Sequence, residues 1–163
     1  MADPAAEPVP GRRAAVLGSP IAHSLSPVLH RAAYRHLRVD WEYTAHDVDE
    51  AGLGNFVRRL DQRWRGLSLT MPLKRAGLVL ADTASDLART VGAANTLLIE
   101  PDGRLLADNT DVPGMVAALR ERGALPRVAA VCMWGAGATA SSALAAVAAL
   151  DGRAVHIHAR EPD

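Results

Sequence analysis

Lysine is almost missing from this chain: Lys74 is the only one, against 17 arginines. Cysteine is as scarce, because Cys132 stands alone, which excludes an internal disulfide framework and fits a reducing compartment. Aromatic residues make up only 4%, so the interior has to be built from Ala, Val and Leu. Net charge is absent too. Its 18 basic and 18 acidic residues balance, so no basic field points to nucleic acid or to an anionic membrane surface. The longest apolar run, the Ala-rich region 143–150, is far too short to span a bilayer. The opening MADPAAEPVPG, residues 1–11, has no hydrophobic stretch of a signal peptide and reads as a disordered tail. The expectation is a cytoplasmic protein.

What is present alternates between strand and helix signals. RAAVLG (13–18) reads as a buried strand ending in glycine, and SPVLHRAAYRHL (26–37) as a helix with Ser26 as N-cap and Pro27 in its first turn. A strand at 41–48, a glycine-weakened helix at 49–63 and a strand at 66–71, stopped by Pro72, follow. Beyond them come a short capped helix at 85–91 and a hairpin at 95–109 that turns at Pro101-Asp102-Gly103. The class is α/β, with a mainly parallel, twisted sheet covered on both faces.

The pattern changes near residue 112. A helix opened by Pro113 and closed by Gly123 forms a linker, 113–126. Residues 127–163 then read as strand, glycine loop, helix and strand, the opening βαβ of a Rossmann-like nucleotide-binding unit. Two strands and one helix cannot bury both faces of such a sheet. The second unit is therefore expected to be incomplete, and to be held by further sequence or by a partner chain.

Three groups of residues carry candidate chemistry. A guanidinium keeps its charge at any pH a protein tolerates, whereas a primary amine exchanges its proton. Lys74 is thus a candidate general acid/base, unless it is merely a solvated surface residue. In GAGATA, Gly135 allows a tight turn and Gly137 lets the backbone approach a pyrophosphate drawn by the following helix N-terminus. Arg160 stands about 20 residues on, where an arginine accepts the 2′-phosphate of NADP, though Glu161 follows it. Ser24 and Ser26, at a strand-end loop entering a helix, suit a carboxylate, although Ser26 as a plain cap would leave Ser24 idle. Asn95 and Asn109-Thr110-Asp111 lie at the two ends of the hairpin and suit a polyhydroxylated ligand, while Asp111 could equally cap the helix from Pro113. His156 and His158 share a strand face without a third ligand nearby, so no metal is expected. Cys132, inside a strand, is expected to be buried.

Taken together, SLSP, GLSLTMPLK, GAANTL and NTDVPG, in this order, resemble the substrate domain of the shikimate dehydrogenase family. GAGATA followed by AR resembles the start of its NADP domain, and the likeness runs from about Arg12 onward. The resemblance implies a shikimate-binding unit at 12–112 and NADP-linked interconversion of shikimate and 3-dehydroshikimate, a step of aromatic amino-acid (chorismate) biosynthesis. Lys74 would be its catalytic lysine and Asp111 the paired aspartate. Ser24 and Ser26 would hold the substrate carboxylate, and Thr70, Asn95 and Asp111 its ring hydroxyls. Gly135, Ala136, Gly137, Ala138, Thr139 and Arg160 would hold NADP. The implied partner is a small molecule, with a homodimer as the one assembly admitted.

Departures from the family pattern are also present. Ser68 stands where the family commonly has Asn, and Val112 where Gly is usual. A third adjacent glycine is missing from the loop, which the bulky Met133-Trp134 precedes. Two other readings follow: a quinate/shikimate dehydrogenase using NAD, and a non-catalytic shikimate-binding module.

Overall fold

The computed structural model describes residues 11–123 and 130–160. The tail read at 1–11 lies outside them except for Gly11, as do the end of the linker and the last three residues.

Strand β1 (Arg12–Gly18) carries a run of small apolar residues, and this suits its place inside the sheet, with a neighbour on each edge. Ala14 and Val16 turn to one face, where they pack with Ile21 and Tyr43 beneath Tyr34 of helix α1 (Ser26–Leu37). Ala15 and Leu17 turn to the other face, into the larger core with Leu53, Leu67, Leu69 and Leu97. With neighbours on both faces, β1 takes parallel partners on both edges: β2 (Trp41–Asp47) and β3 (Trp64–Leu69).

The sheet continues through β5 (Thr96–Ile99) and β6 (Leu105–Asp108), the two arms of the expected hairpin, to a two-residue β4 (Thr83–Ala84), giving the order β2-β1-β3-β5-β6-β4. Three of its five pairings are parallel; β3–β5 and β5–β6 are antiparallel. Helices α2 (Glu50–Arg58), α3 (Lys74–Leu80) and α4 (Asp86–Val91) complete this layer. Helix α5 (Asp111–Glu121) leads to β7 (Val131–Trp134), α6 (Ala138–Ala148) and β8 (Val155–His158), with β7 and β8 paired in parallel as a separate two-stranded sheet. Helix α6 packs against α5 and α4.

Several local expectations are corrected. Ser26 does not cap α1: the cap position falls on Leu25 without a side-chain bond, and the Ser24 hydroxyl instead accepts from the Ser26 N–H at 3.4 Å. Helix α2 stops at Arg58 and β3 begins at Trp64. Helix α5 begins at Asp111 rather than Pro113, because the Asn109 side chain accepts the Val112 N–H at 3.2 Å and so relieves Asp111 of capping. Cys132 is exposed, because β7 lies in a sheet of only two strands.

Candidate functional site

The topology gathers the candidate residues at one sheet edge. Strands β1, β2 and β3 run parallel, so Gly18, Asp47 and Leu69 end together. Strand β5 runs the other way and begins beside them, Ser68 facing Thr96, while β6 ends there with Asp108 opposite Thr96. Asn95 and residues 109–111 therefore meet the loop that carries Thr70. That loop lies close to the one after β1: Ser19 N–H donates to the Met71 carbonyl at 3.0 Å, and Thr70 N–H to that of Leu17 at 2.9 Å. A side chain at Gly18 would run into the Thr70 methyl and the Met71 carbonyl, so only glycine allows this approach.

Lys74 is the first residue of α3, and Arg75 follows it with no acidic residue in that turn. Positive side chains there oppose the helix dipole, so Lys74 does not serve α3. Its ammonium turns instead to Asp111, donating to Oδ2 at 2.6 Å, with side chains only 12% and 21% exposed. Asp111 sits in the first turn of α5, where a carboxylate is favoured. Its other oxygen accepts from Asn95 Nδ2 at 2.8 Å, and the Asn95 amide oxygen accepts the Thr110 N–H at 2.9 Å. Lysine, carboxylate and amide thus form one fixed group: a proton donor held by a charge whose orientation is itself held. Such a group can protonate, or hydrogen-bond, an oxygen brought to the lysine's open side.

The glycine loop faces this group. A cleft of ≈ 480 Å³ opens between them, lined by Thr70, Lys74, Arg75, Trp134, Gly137 and Thr139. Lys74 Nζ also donates to Thr139 Oγ1 at 3.2 Å. Gly135 has φ +109°, open to glycine and strained for other residues, and its N–H donates to the His158 carbonyl at 2.8 Å. No side chain caps α6, whose first-turn N–H groups are available to an anion. Gly135, Ala136, Gly137 and Arg160 border a second opening of ≈ 770 Å³ beside the loop. These donors and the guanidinium suit a phosphorylated ligand.

The structure thus brings together Lys74, Asp111, Asn95, Thr70 and the loop residues. Ser24, on the loop entering α1, and Ser26, its first residue, stand at the same edge, but among the described residues no hydrogen bond ties them to the lysine group. Asn109, considered with Thr110 and Asp111, is only 1% exposed and turns inward to Ala93 and Ser142. The partnership of Thr139 with Lys74 and that of Tyr43 with Ser68 were not foreseen; hydroxyl residues at strand and helix positions give no signal until the fold brings their partners close. A hollow of ≈ 610 Å³ beneath α2, beside His46 and Trp64, contains none of the candidate residues.

Comparison with known proteins reports a consistent likeness. A family model described as the shikimate dehydrogenase substrate binding domain matches residues 16–97. Over 82% of its length the chain is 41% identical to the shikimate dehydrogenase (NADP(+)) of Ignicoccus hospitalis, of which it spans 50%. Among solved structures, a shikimate 5-dehydrogenase from Mycobacterium fortuitum is 45% identical with a TM-score of 0.80, over 93% of this chain and 55% of that one. The Thermus thermophilus shikimate 5-dehydrogenase in complex with NADP(H) and shikimate gives 36% and 0.84, over 93% and 57%. The chain spans about half the length of the curated relatives it matches. These relatives do not favour the quinate and NAD reading.

Proposed function

This chain belongs to the shikimate dehydrogenase family, and we propose that it acts as an NADP-dependent shikimate dehydrogenase, reversibly reducing 3-dehydroshikimate to shikimate. The observation that carries this reading is the Lys74–Asp111 pair, 2.6 Å apart, with Lys74 lining the cleft beside the glycine loop. In the direction of reduction, Lys74 gives a proton to the ring carbonyl oxygen as it becomes a hydroxyl, and in the reverse direction it takes that proton back. Asp111 holds the ammonium and accepts from a neighbouring ring hydroxyl, with Asn95 keeping the carboxylate in orientation. Thr70 and Asn95 bind ring hydroxyls, and Ser24 and Ser26 the carboxylate. When bound, the nicotinamide of NADP supplies or receives the hydride.

Residues 12–112 form the substrate unit, and the region 127–163 the beginning of the dinucleotide unit. Gly135, Ala136, Gly137, Ala138 and Thr139 would hold the pyrophosphate, and Arg160 the 2′-phosphate. The free N–H groups at the start of α6 and the positive φ of Gly135 support that fit.

Lys74→Arg keeps the charge and removes the exchangeable proton. Initial rates with shikimate and NADP are expected to fall by about 10² or more. A variant that retained most of the wild-type turnover would exclude the acid/base role.

A further inference from the structure

Lys74 and Asp111 belong to one layer and Thr139 to another, so something must fix the gap between them. Thr139 and Ser142 lie three residues apart on α6, and therefore on one face. Each meets the substrate layer through one hydrogen bond. Thr139 Oγ1 accepts from Lys74 Nζ at 3.2 Å, and Ser142 Oγ accepts from Asn109 Nδ2 at 3.0 Å. The second bond lies in the interior, with Asn109 1% and Ser142 0% exposed. The Asn109 amide has no N–H to spare: its other N–H donates to the Ala93 carbonyl at 2.9 Å, and its oxygen takes the Val112 N–H. Two residues after Asn109, Asp111 grips the lysine. The contacts close a ring, from Lys74 to Asp111, through the start of α5 to Asn109, across to Ser142, and along one turn of α6 to Thr139 and back.

We propose that this ring sets the working position of Lys74, with Thr139 as the ammonium's second protein partner and Asn109 and Ser142 as positioning residues behind it. The proposal rests on the reading of Lys74 as the proton donor. A buried amide with every group satisfied has one low-energy arrangement, because breaking any bond strands a polar atom in the interior. The glycine loop and the lysine are thereby held at a common spacing, and removing one hydroxyl on α6 loosens the lysine without touching Asp111.

Because Lys74 is the only lysine, protein labelled with 13Cε-lysine gives a single lysine side-chain signal. That signal and the steady-state constants are compared in wild type, Thr139→Val, Thr139→Ser and Ser142→Ala, with circular dichroism checking the fold. Ser142→Ala replaces the obvious Asn109→Ala, which would strand the Ala93 carbonyl and the Val112 N–H and risk unfolding. Thr139→Val is expected to displace the signal and lower kcat about five-fold, with KM for shikimate changed less than about two-fold. Thr139→Ser should restore both, and Ser142→Ala should displace the signal in the same direction. An unmoved signal in folded Thr139→Val, or a serine variant behaving like the valine one, overturns the proposal. If wild type turns over no shikimate, the enzymatic reading fails, while the signal comparison still decides whether the ring exists.

Discussion

Tyr43 is 2% exposed, yet its hydroxyl has a partner, donating to Ser68 Oγ at 2.8 Å while His30 stacks on its ring at 3.9 Å. Burial pushes the phenol up and the His30 imidazole down from their ordinary values, so both remain neutral. The two ends of the hydrogen bond are unequal. Tyr43→Phe removes the buried polar atom along with the bond, whereas Ser68→Ala leaves the phenolic hydroxyl unpaired in the interior. Denaturant unfolding is expected to give a loss of about 1 kcal/mol for Tyr43→Phe and a larger loss, up to about 3 kcal/mol, for Ser68→Ala. Equal losses would show that the hydroxyl finds water. Composition singled Lys74 out as one amine among guanidiniums but left it as readily a solvated surface residue; the motifs around it gave it a chemical reading. Its pairing with Asp111 was implied by the family resemblance and is seen at 2.6 Å, but the residues alone left Asp111 free to cap a helix, a task of which Asn109 relieves it.

Among the elements, α3 left the weakest trace in the sequence. KRAGLVL is short, has a central glycine, carries two cations where the dipole disfavours them and has no side-chain cap. It forms because Leu73 is fully buried and Gly77 lies flat on Leu69, where a methyl group would collide with that side chain. In a solvent-facing helix, Gly→Ala stabilises; here Gly77→Ala should cost about 1 to 3 kcal/mol, read as a lower urea midpoint at unchanged m. By contrast, the hairpin arms and the β7–α6–β8 unit were legible, because turn residues and the glycine loop announce themselves over a few neighbouring positions. The two residues of β4 were not, since no periodicity can be read in so short a strand.

Across the whole molecule, His46 links stability to pH. It lies between Phe56 and Trp64, with Thr44 Oγ1 at 2.9 Å from its Nε2. Burial and then the Arg13 guanidinium hold its imidazole below the ordinary 6.5, which the Glu42 carboxylate only partly offsets. His30 is lowered as well. As the pH falls below about 6.5 the unfolded chain takes up protons that these folded histidines refuse, so stability is full above that value and declines on acidification. Thermal midpoints measured from pH 8 to 5 should show this decline, and His46→Gln should flatten it; an unchanged slope would assign the effect elsewhere. Trp134 has a different consequence. It is 81% exposed and stacked on His158 at 4.4 Å beside Gly135, whereas Trp64 is buried and Trp41 half-buried. The glycine loop thus carries its own lamp: light emitted at long wavelength is expected to come mainly from Trp134, and a phosphorylated guest settling at the proposed site beside Gly135 is expected to change it.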